Sequence, residues 1–430
     1  MSTVTVDQAK LVLNAFAAIF QNNLVSADLV TWKKFDGEMN DRNGLTVVEQ
    51  VTPDYTTTFT TNAVADLTSG VQPTTFGSEQ YKLTQVIGSS MGWADFVKIR
   101  DLGAARESEA LKAAALRLAH DIDAYILRFA ALASNNWLGD GSSAVGTWDD
   151  IAAAYTRLKE EGVEDDANLR AVLTYGDKQA LGRDIVESVT AKDNLAALGE
   201  GIYRSGWQGM VAGIPTTFTQ QLPAFTVGTR VATGASLTNA PTASTYEAAC
   251  ISAAPGQFLT QTINIDGQSG SVTLVDGETF TIAGVFAYDN RAKKRLAHLQ
   301  QFRVIGNYTA SSGAFSNVRI FPAIIATGPY KTVDYTGSLD NLAIVHQGAA
   351  GATLQPRFVA NKDAIVVSTA DLVMPATGTA RRQSLTKLPL SVRMWQDSAF
   401  ATGEHRVRFD IALEANVRAG GRRRLVRING

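Results

Sequence analysis

The sequence predicts an α+β fold organised on one long helix and interrupted by a small β-barrel-like domain. Three observations carry this reading. Residues 104–133 (AARESEALKAAALRLAHDIDAYILRFAALA) hold no proline and are dominated by strong helix formers. Helix and strand patterns alternate from about residue 150 to 220, as in a mixed α/β unit. From about 229 the text turns to Thr, Val and Ile punctuated by glycine-centred turns, and a strand-rich pattern resumes at Arg357. Residues 229–342 therefore read as a domain inserted into a loop of a larger body.

The long helix follows from its spacing. Leu111, Leu118, Ile122, Tyr125, Phe129 and Leu132 recur at helical intervals, and Ala114 and Ala115 widen the stripe so that the helix can lie flat on a sheet. Arg117 with Asp121, and Glu109 with Lys112, are placed to pair along the wet side. Its length of roughly 45 Å exceeds what an ordinary compact domain needs. The bland alternative is a long core helix of an α+β enzyme.

Composition narrows the function classes. A chain of 430 residues is longer than one core usually serves, so two or three domains are expected. The formal charge of −2 is too near neutral for a general nucleic-acid binder but suits a protein that associates with its own copies. One cysteine, Cys250, rules out an internal disulfide framework and a cysteine-based zinc site. The N-terminus lacks the basic-then-apolar order of a signal peptide, and no uncharged apolar run approaches the roughly 20 residues that span a bilayer. A soluble protein made in a reducing cytoplasm, with no membrane partner, is expected.

In chain order, residues 6–25 form an amphipathic helix with Val12, Phe16, Ile19 and Phe20 on one face. Asp7 lies near its start, where the helix dipole favours an anion. That face packs either on the chain's own body or on a neighbour. Residues 36–80 are rich in Thr, Gly, Asp and Asn and carry too few large aliphatics for a core of their own. Short strands are expected at 45–48 and 56–61. The segment is either a loose loop or an extended hairpin arm ordered only across another subunit. Residues 81–87 alternate as a strand. Thr147 or Asp149 can cap a helix at 151–161, followed by a buried strand at 169–175, a helix at 177–187 and a strand at 211–218. In the insertion, Asp266-Gly267 and Asp276-Gly277 mark turns.

Catalytic chemistry finds no foothold. His120, His298, His346 and His405 lie in four different segments without an i, i+4 partner. The nucleophile-elbow, phosphate-loop, zincin and EF-hand patterns do not occur. Gly199-Glu200-Gly201 opens a dinucleotide fingerprint, but Arg204 stands where its third glycine belongs. The acidic pairs Asp149-Asp150, Glu160-Glu161 and Asp165-Asp166 suit capping and solvation. The run Arg422-Arg423-Arg424 reads as a solvated edge or inter-subunit ion pairs, with packaged nucleic acid as the alternative. No catalytic residue, cofactor or metal ligand is assigned.

The order of parts resembles the HK97-like major capsid proteins of tailed phages, in the branch typified by the coat protein of the short-tailed Salmonella phage. The text most similar to that branch is LVDGETFTIAGVFAYDNRAKKRLAHLQQFRVIGNY (274–308), IFPAII (320–325), NKDAIVVSTADLVMP (361–375) and the pair SVRMWQD and HRVRFDIA. The resemblance covers nearly the whole chain. It implies an N-terminal arm (1–35), an extended loop (36–80), a peripheral domain with a spine helix (81–147, helix 104–133) and an axial domain (148–228 and 343–375). The inserted β domain takes 229–342 and return strands 376–430. The implied function is a coat protein that self-assembles as hexamers and pentamers into an icosahedral shell enclosing double-stranded DNA. It would be located in the virion and assembled in the bacterial host cytoplasm. The implied partners are the protein itself, scaffolding protein, portal, and DNA bound without sequence specificity. Inter-subunit contact candidates are Asp41, Arg42, Asp54, Tyr55 and Phe76 in the extended loop, and Lys293, Lys294 and Arg295 in the DNRAKKR loop. Candidates for contact with scaffold or a neighbouring arm are Asp7, Phe16, Phe20 and Asp28. Some members of the fold crosslink Lys to Asn, but Lys82 and Lys98 match no such motif. The rival readings are an encapsulin-like nanocompartment shell, which shares the fold but not the inserted domain, and a multidomain hydrolase, which needs a convergent polar site.

Overall fold

A computed structural model of the chain describes residues 3–35, 46–51, 76–93, 109–139, 145–163, 167–190, 210–231, 233–238, 243–251, 254–289, 292–328, 330–398 and 405–429. The expected strand at 56–61, the first five residues of the expected long helix, the Gly199–Gly206 stretch and Asp165-Asp166 lie outside them. The chain forms two compact units, one of residues 1–47, 81–129 and 365–416 and one of 48–80, 130–364 and 417–430.

The first unit is built on a six-stranded sheet. Its central strand, His405–Val417, pairs antiparallel with Val86–Trp93 and with Ser391–Ser398, and Thr379–Ser384 follows at the edge. On the other side Ile365–Ala370 pairs in parallel with Thr31–Lys34. Every residue of Ile365–Ala370 is buried, as a strand covered on both faces must be. Helix α1 (Thr3–Asn22) brings Phe16 onto the sheet, where its ring stacks on Phe409 with centroids 3.9 Å apart. Phe16 and Phe20 are both 0% exposed. The long helix, α2 (Glu109–Ala133), buries Leu111, Leu118 and Ile122 of the expected stripe. Ala119, Asp123, Ile126 and Leu127 are buried as well, so the covered face is wider than a single stripe. Its wet side keeps the expected Arg117–Asp121 pair at 3.0 Å.

Polar residues in this core are accounted for by hydrogen bonds. Asp123, fully buried on α2, accepts the backbone amides of Val25 and Ser26 at 2.9 and 2.8 Å and so ties the turn after α1 to the long helix. Glu414 accepts the Thr84 amide and hydroxyl at 2.6 and 2.8 Å and pairs with Lys82 at 2.9 Å. Lys82 thus has a structural partner on the central strand.

Among its described residues the second unit holds two large sheets. One runs Asn136–Leu138, Leu425–Ile428, Arg357–Asn361, Leu169–Leu173, Ile214–Phe218 and Met210–Val211. Helix α3 (Trp148–Glu160) begins with a capping box in which the Thr147 hydroxyl accepts the Asp150 amide and the Asp150 carboxylate accepts that of Thr147. Helix α4 (Tyr175–Thr190) carries Asp177 in its first turn, where it is buried, accepts the Thr174 amide at 2.8 Å and holds Arg357 by two bonds of 2.8 and 2.9 Å. Ile151, Leu158, Leu173, Leu181 and Val359 close the core between helices and sheet.

The other sheet is the insertion. Its strands run Ser236–Thr238, Gln261–Asp266, Phe315–Phe321, Lys294–Ile305, Thr279–Asp289 and Val333–Asp334, and Ile344–His346 also pairs with Thr279–Asp289. Phe280, Phe302, Phe315, Val304 and Ile320 fill its own core. The expected Asp-Gly turns are present. Gly267 has φ +76°, and a Cβ there would stand 2.1 Å from the Gly234 carbonyl oxygen, so no larger residue fits. A short helix, α5 (Tyr246–Cys250), seeds a satellite cluster with Phe258, Ala323 and Ile325.

Removing the Phe16 ring tests the packing of α1. Phe16→Ala is expected to cost about 3–5 kcal/mol in urea unfolding of the full chain. A loss below about 1 kcal/mol would mean that the ring is not seated in the core.

Candidate functional site

The residues proposed from sequence as contact points fall into three groups. Asp41, Arg42, Asp54 and Tyr55 lie outside the described residues. Phe76 is described and half exposed (51%), immediately before the strand Gly77–Lys82. Lys293, Lys294 and Arg295 are exposed at the tip of the hairpin joining Thr279–Asp289 to Lys294–Ile305. Lys293 takes φ +50°, and Asp289 accepts the Ala292 amide at 3.1 Å to shape the turn. The Arg295 guanidinium lies 3.4 Å from the centre of the Phe286 ring, so the charged group itself is steadied against the ring face.

The N-terminal candidates divide. Asp7 lies on α1, and Asp28 is exposed at the end of the 3-10 turn Val25–Asp28. Phe16 and Phe20 correct the expectation of a docking face. Both rings are enclosed by their own unit, so they offer nothing to a scaffold or a neighbouring arm while α1 stays seated. Helical spacing foretells a buried face but not whose surface buries it. The arginine run is corrected too. Arg422 is buried, donating to the Ala133 and Gly256 carbonyls at 3.3 and 3.1 Å, and Arg423 lies 3.8 Å from Glu161; Arg424 is exposed.

The strand Gly77–Lys82 pairs with Thr46–Val51 as a two-stranded ribbon at the two ends of the extended segment. Alternate residues Gly77, Glu79 and Tyr81 are buried. Gly77 passes so close to α5 that a Cβ would stand 2.9 Å from the Phe258 ring and 3.3 Å from the Cys250 Cβ. Val51 joins the same cluster, and Ser78 bridges to Ile251. The root of the extended segment therefore packs against the inserted domain of its own chain.

Buried charge in the second unit was not foreseen. Arg230 and Glu278 form an ion pair of 2.6 Å with both side chains at most 1% exposed. Glu278 also accepts the Gly228 and Val275 amides at 2.8 and 2.7 Å, and Arg230 donates to the Gln347 carbonyl at 2.7 Å. Burial pushes the Glu278 carboxyl up and the Arg230 guanidinium down, and their mutual attraction opposes both shifts. Arg303 pairs with Asp276 at 3.1 Å and donates to the Leu132 carbonyl. Arg427, fully buried, lies 4.2 Å from the Trp137 ring centre, and burial lowers it to about 9. A Gly-Glu turn next to a strand gave no sign of this pairing, because the partner lies 48 residues earlier.

Among the described residues no group of three or more His, Cys, Asp or Glu is placed to hold a metal ion, and no helix is long and apolar enough to cross a membrane. His298 and His346 are pushed down to about 4 and about 3 by burial, with nearby arginines adding to it, so both are neutral at pH 7. His298 lies 3.5 Å from Glu160 as a neutral ring.

The Arg230–Glu278 pair has a definite cost of breakage. Glu278→Gln keeps the shape but leaves Arg230 buried without a counter-charge, and is expected to lose about 3–5 kcal/mol in chemical denaturation. A loss under about 1 kcal/mol would show that water reaches the pair.

Comparison with known proteins follows from this architecture. Among solved structures the chain is similar to the capsid of the cyanophage P-SCSP1u (TM-score 0.43, 11% identity, 94% of this chain and 87% of that one). It is similar also to the capsid of Ralstonia phage GP4 (0.43, 8%, 95% and 89%) and to a Mycobacterium phage Che8 structure (0.40, 11%, 90% and 85%). No curated protein sequence matches the chain significantly. The family model described as P22 coat protein, gene protein 5, matches residues 1–419. The chain belongs to the P22 coat protein family and is a shell-forming major capsid protein with the HK97-like fold.

Proposed function

We propose that this coat protein assembles in the bacterial host cytoplasm, with scaffolding protein and portal as partners, around DNA bound without sequence specificity. The observation that carries this reading is the family match over residues 1–419, joined to a near-neutral chain that suits association with its own copies. A non-enzymatic structural role follows from the same membership. The nanocompartment and hydrolase readings are not favoured by it.

Within the shell, the extended segment 36–80 bridges to a neighbouring copy, and the exposed loop at Lys293, Lys294 and Arg295 contacts another capsomer. The support is physical. The segment has too little apolar content for a core of its own, and its described strands Thr46–Val51 and Gly77–Lys82 place Val51 and Gly77 against the Phe258 cluster. The loop presents three exposed cations, and such contacts gain strength by repetition around a symmetric particle. Asp7 and Asp28 remain the N-terminal candidates for scaffold contact. Residues 148–228 and 343–375 are read as the axial domain, where Trp148, Tyr175 and Met210 leave large apolar surfaces 48–61% exposed for a neighbouring copy to cover.

Deleting residues 40–74 is expected to leave a folded, soluble monomer that forms no shells in sedimentation. Normal particles from that variant would overturn the arm's bridging role. Replacing Lys293, Lys294 and Arg295 together by Gln is expected to lower particle stability and flatten its salt dependence. An unchanged stability profile across salt would remove the loop from the capsomer contacts.

A further inference from the structure

At the ribbon root one carboxyl group is buried with only part of its hydrogen-bonding capacity met. Glu79 is 2% exposed, and its Oε1 has no hydrogen-bond partner. It borders a cavity of about 10 Å³, close to the volume of one water, that is also lined by Gly256, Phe258, Phe321, Val417, Arg418, Gly420 and Arg422. Arg422 spends two of its nitrogens on the Ala133 and Gly256 carbonyls and lies 5.6 Å from the Phe321 ring centre. Its charge attracts Glu79, while Arg303 and Asp276 act on Arg422 in opposite senses. Arg418 lines the same cavity, and the buried Cys250 thiol adjoins the ribbon at Gly77. Neither Arg422 nor Cys250 changes charge near neutral pH, because burial brings the first only to about 9 and pushes the second up.

We propose that Glu79 is a proton-operated latch: its neutral carboxylic acid keeps the strand Gly77–Lys82 docked on the Phe258 cluster, and its ionisation loosens that root. The cavity has room for about one water, so in the docked state the charged form relies on Arg422 and two backbone amides, and lifting the strand adds full hydration. Burial, opposed by Arg422 and by the Gly256 and Gln80 amides, brings the Glu79 carboxyl up from 4.5 to about 7. The docked state therefore holds the proton more tightly than the lifted state. Docking is fully supported below about pH 4.5, weakens as pH rises from there to about 7, and stays weak above it. The latch acts within one chain and stands whether or not the extended segment bridges subunits.

Amide hydrogen exchange on the full-length protein tests it. Protection factors for residues 77–82, corrected for the intrinsic rate at each pH, are expected to fall about tenfold between pH 6 and pH 8. Glu79→Gln is expected to flatten this profile at the high-protection end. Glu79→Ala, which leaves room for water and removes the charge, should flatten it as well and decides the matter if the glutamine variant does not fold. Wild-type protection that is level across this range would overturn the proposal, as would the same pH dependence in either variant.

Discussion

A charge removed from water must be paired or hydrogen-bonded, and this constraint binds the inserted β domain to the rest of the larger unit. Arg230 and Glu278 neutralise each other with almost no exposure, while Glu278 holds two backbone amides in place. Arg303, on a central strand of the insertion, reaches the last turn of the long helix through the Leu132 carbonyl and secures Asp276 in the Asp-Gly turn. Gln301, two residues earlier, exchanges hydrogen bonds with the backbone of Trp137 at 2.7 and 2.8 Å. None of these polar groups tolerates separation without a partner to replace the one it loses. An insertion held only by apolar contact could slide; one held by named donors and acceptors has a single register.

The same logic explains how a chain can be both rigid and unfinished. Each unit has a core of its own among the described residues, the first around Phe16, Phe409 and the buried strand Ile365–Ala370, the second around its two large sheets. What their cores do not absorb is left at the surface: an exposed cationic hairpin tip and scattered large apolar side chains such as Ile251 and Val373. Surfaces of that mixed kind make individually modest contacts, which suits closed symmetric assembly.

Much of the architecture was legible in the sequence, because it rests on local signals. The spacing of Leu111, Leu118 and Ile122 located the long helix, Thr147 marked a helix start, and Asp266-Gly267 marked a turn whose geometry only glycine satisfies. The misreadings share one cause. Phe16 and Phe20 looked like a docking face, and Arg422 like part of a solvated run, because a pattern along one segment carries no information about what folds over it. Glu79 and the Arg230–Glu278 pair were invisible for the same reason: each is defined by residues far away along the chain.

The central claim is that identical copies of this chain close into a shell. Electron microscopy of the purified, assembly-competent protein measures that directly. Closed icosahedral particles with hexameric and pentameric capsomers are the predicted result. A homogeneous population of monomers or small oligomers, under conditions where the chain is folded and given its scaffold, would contradict it.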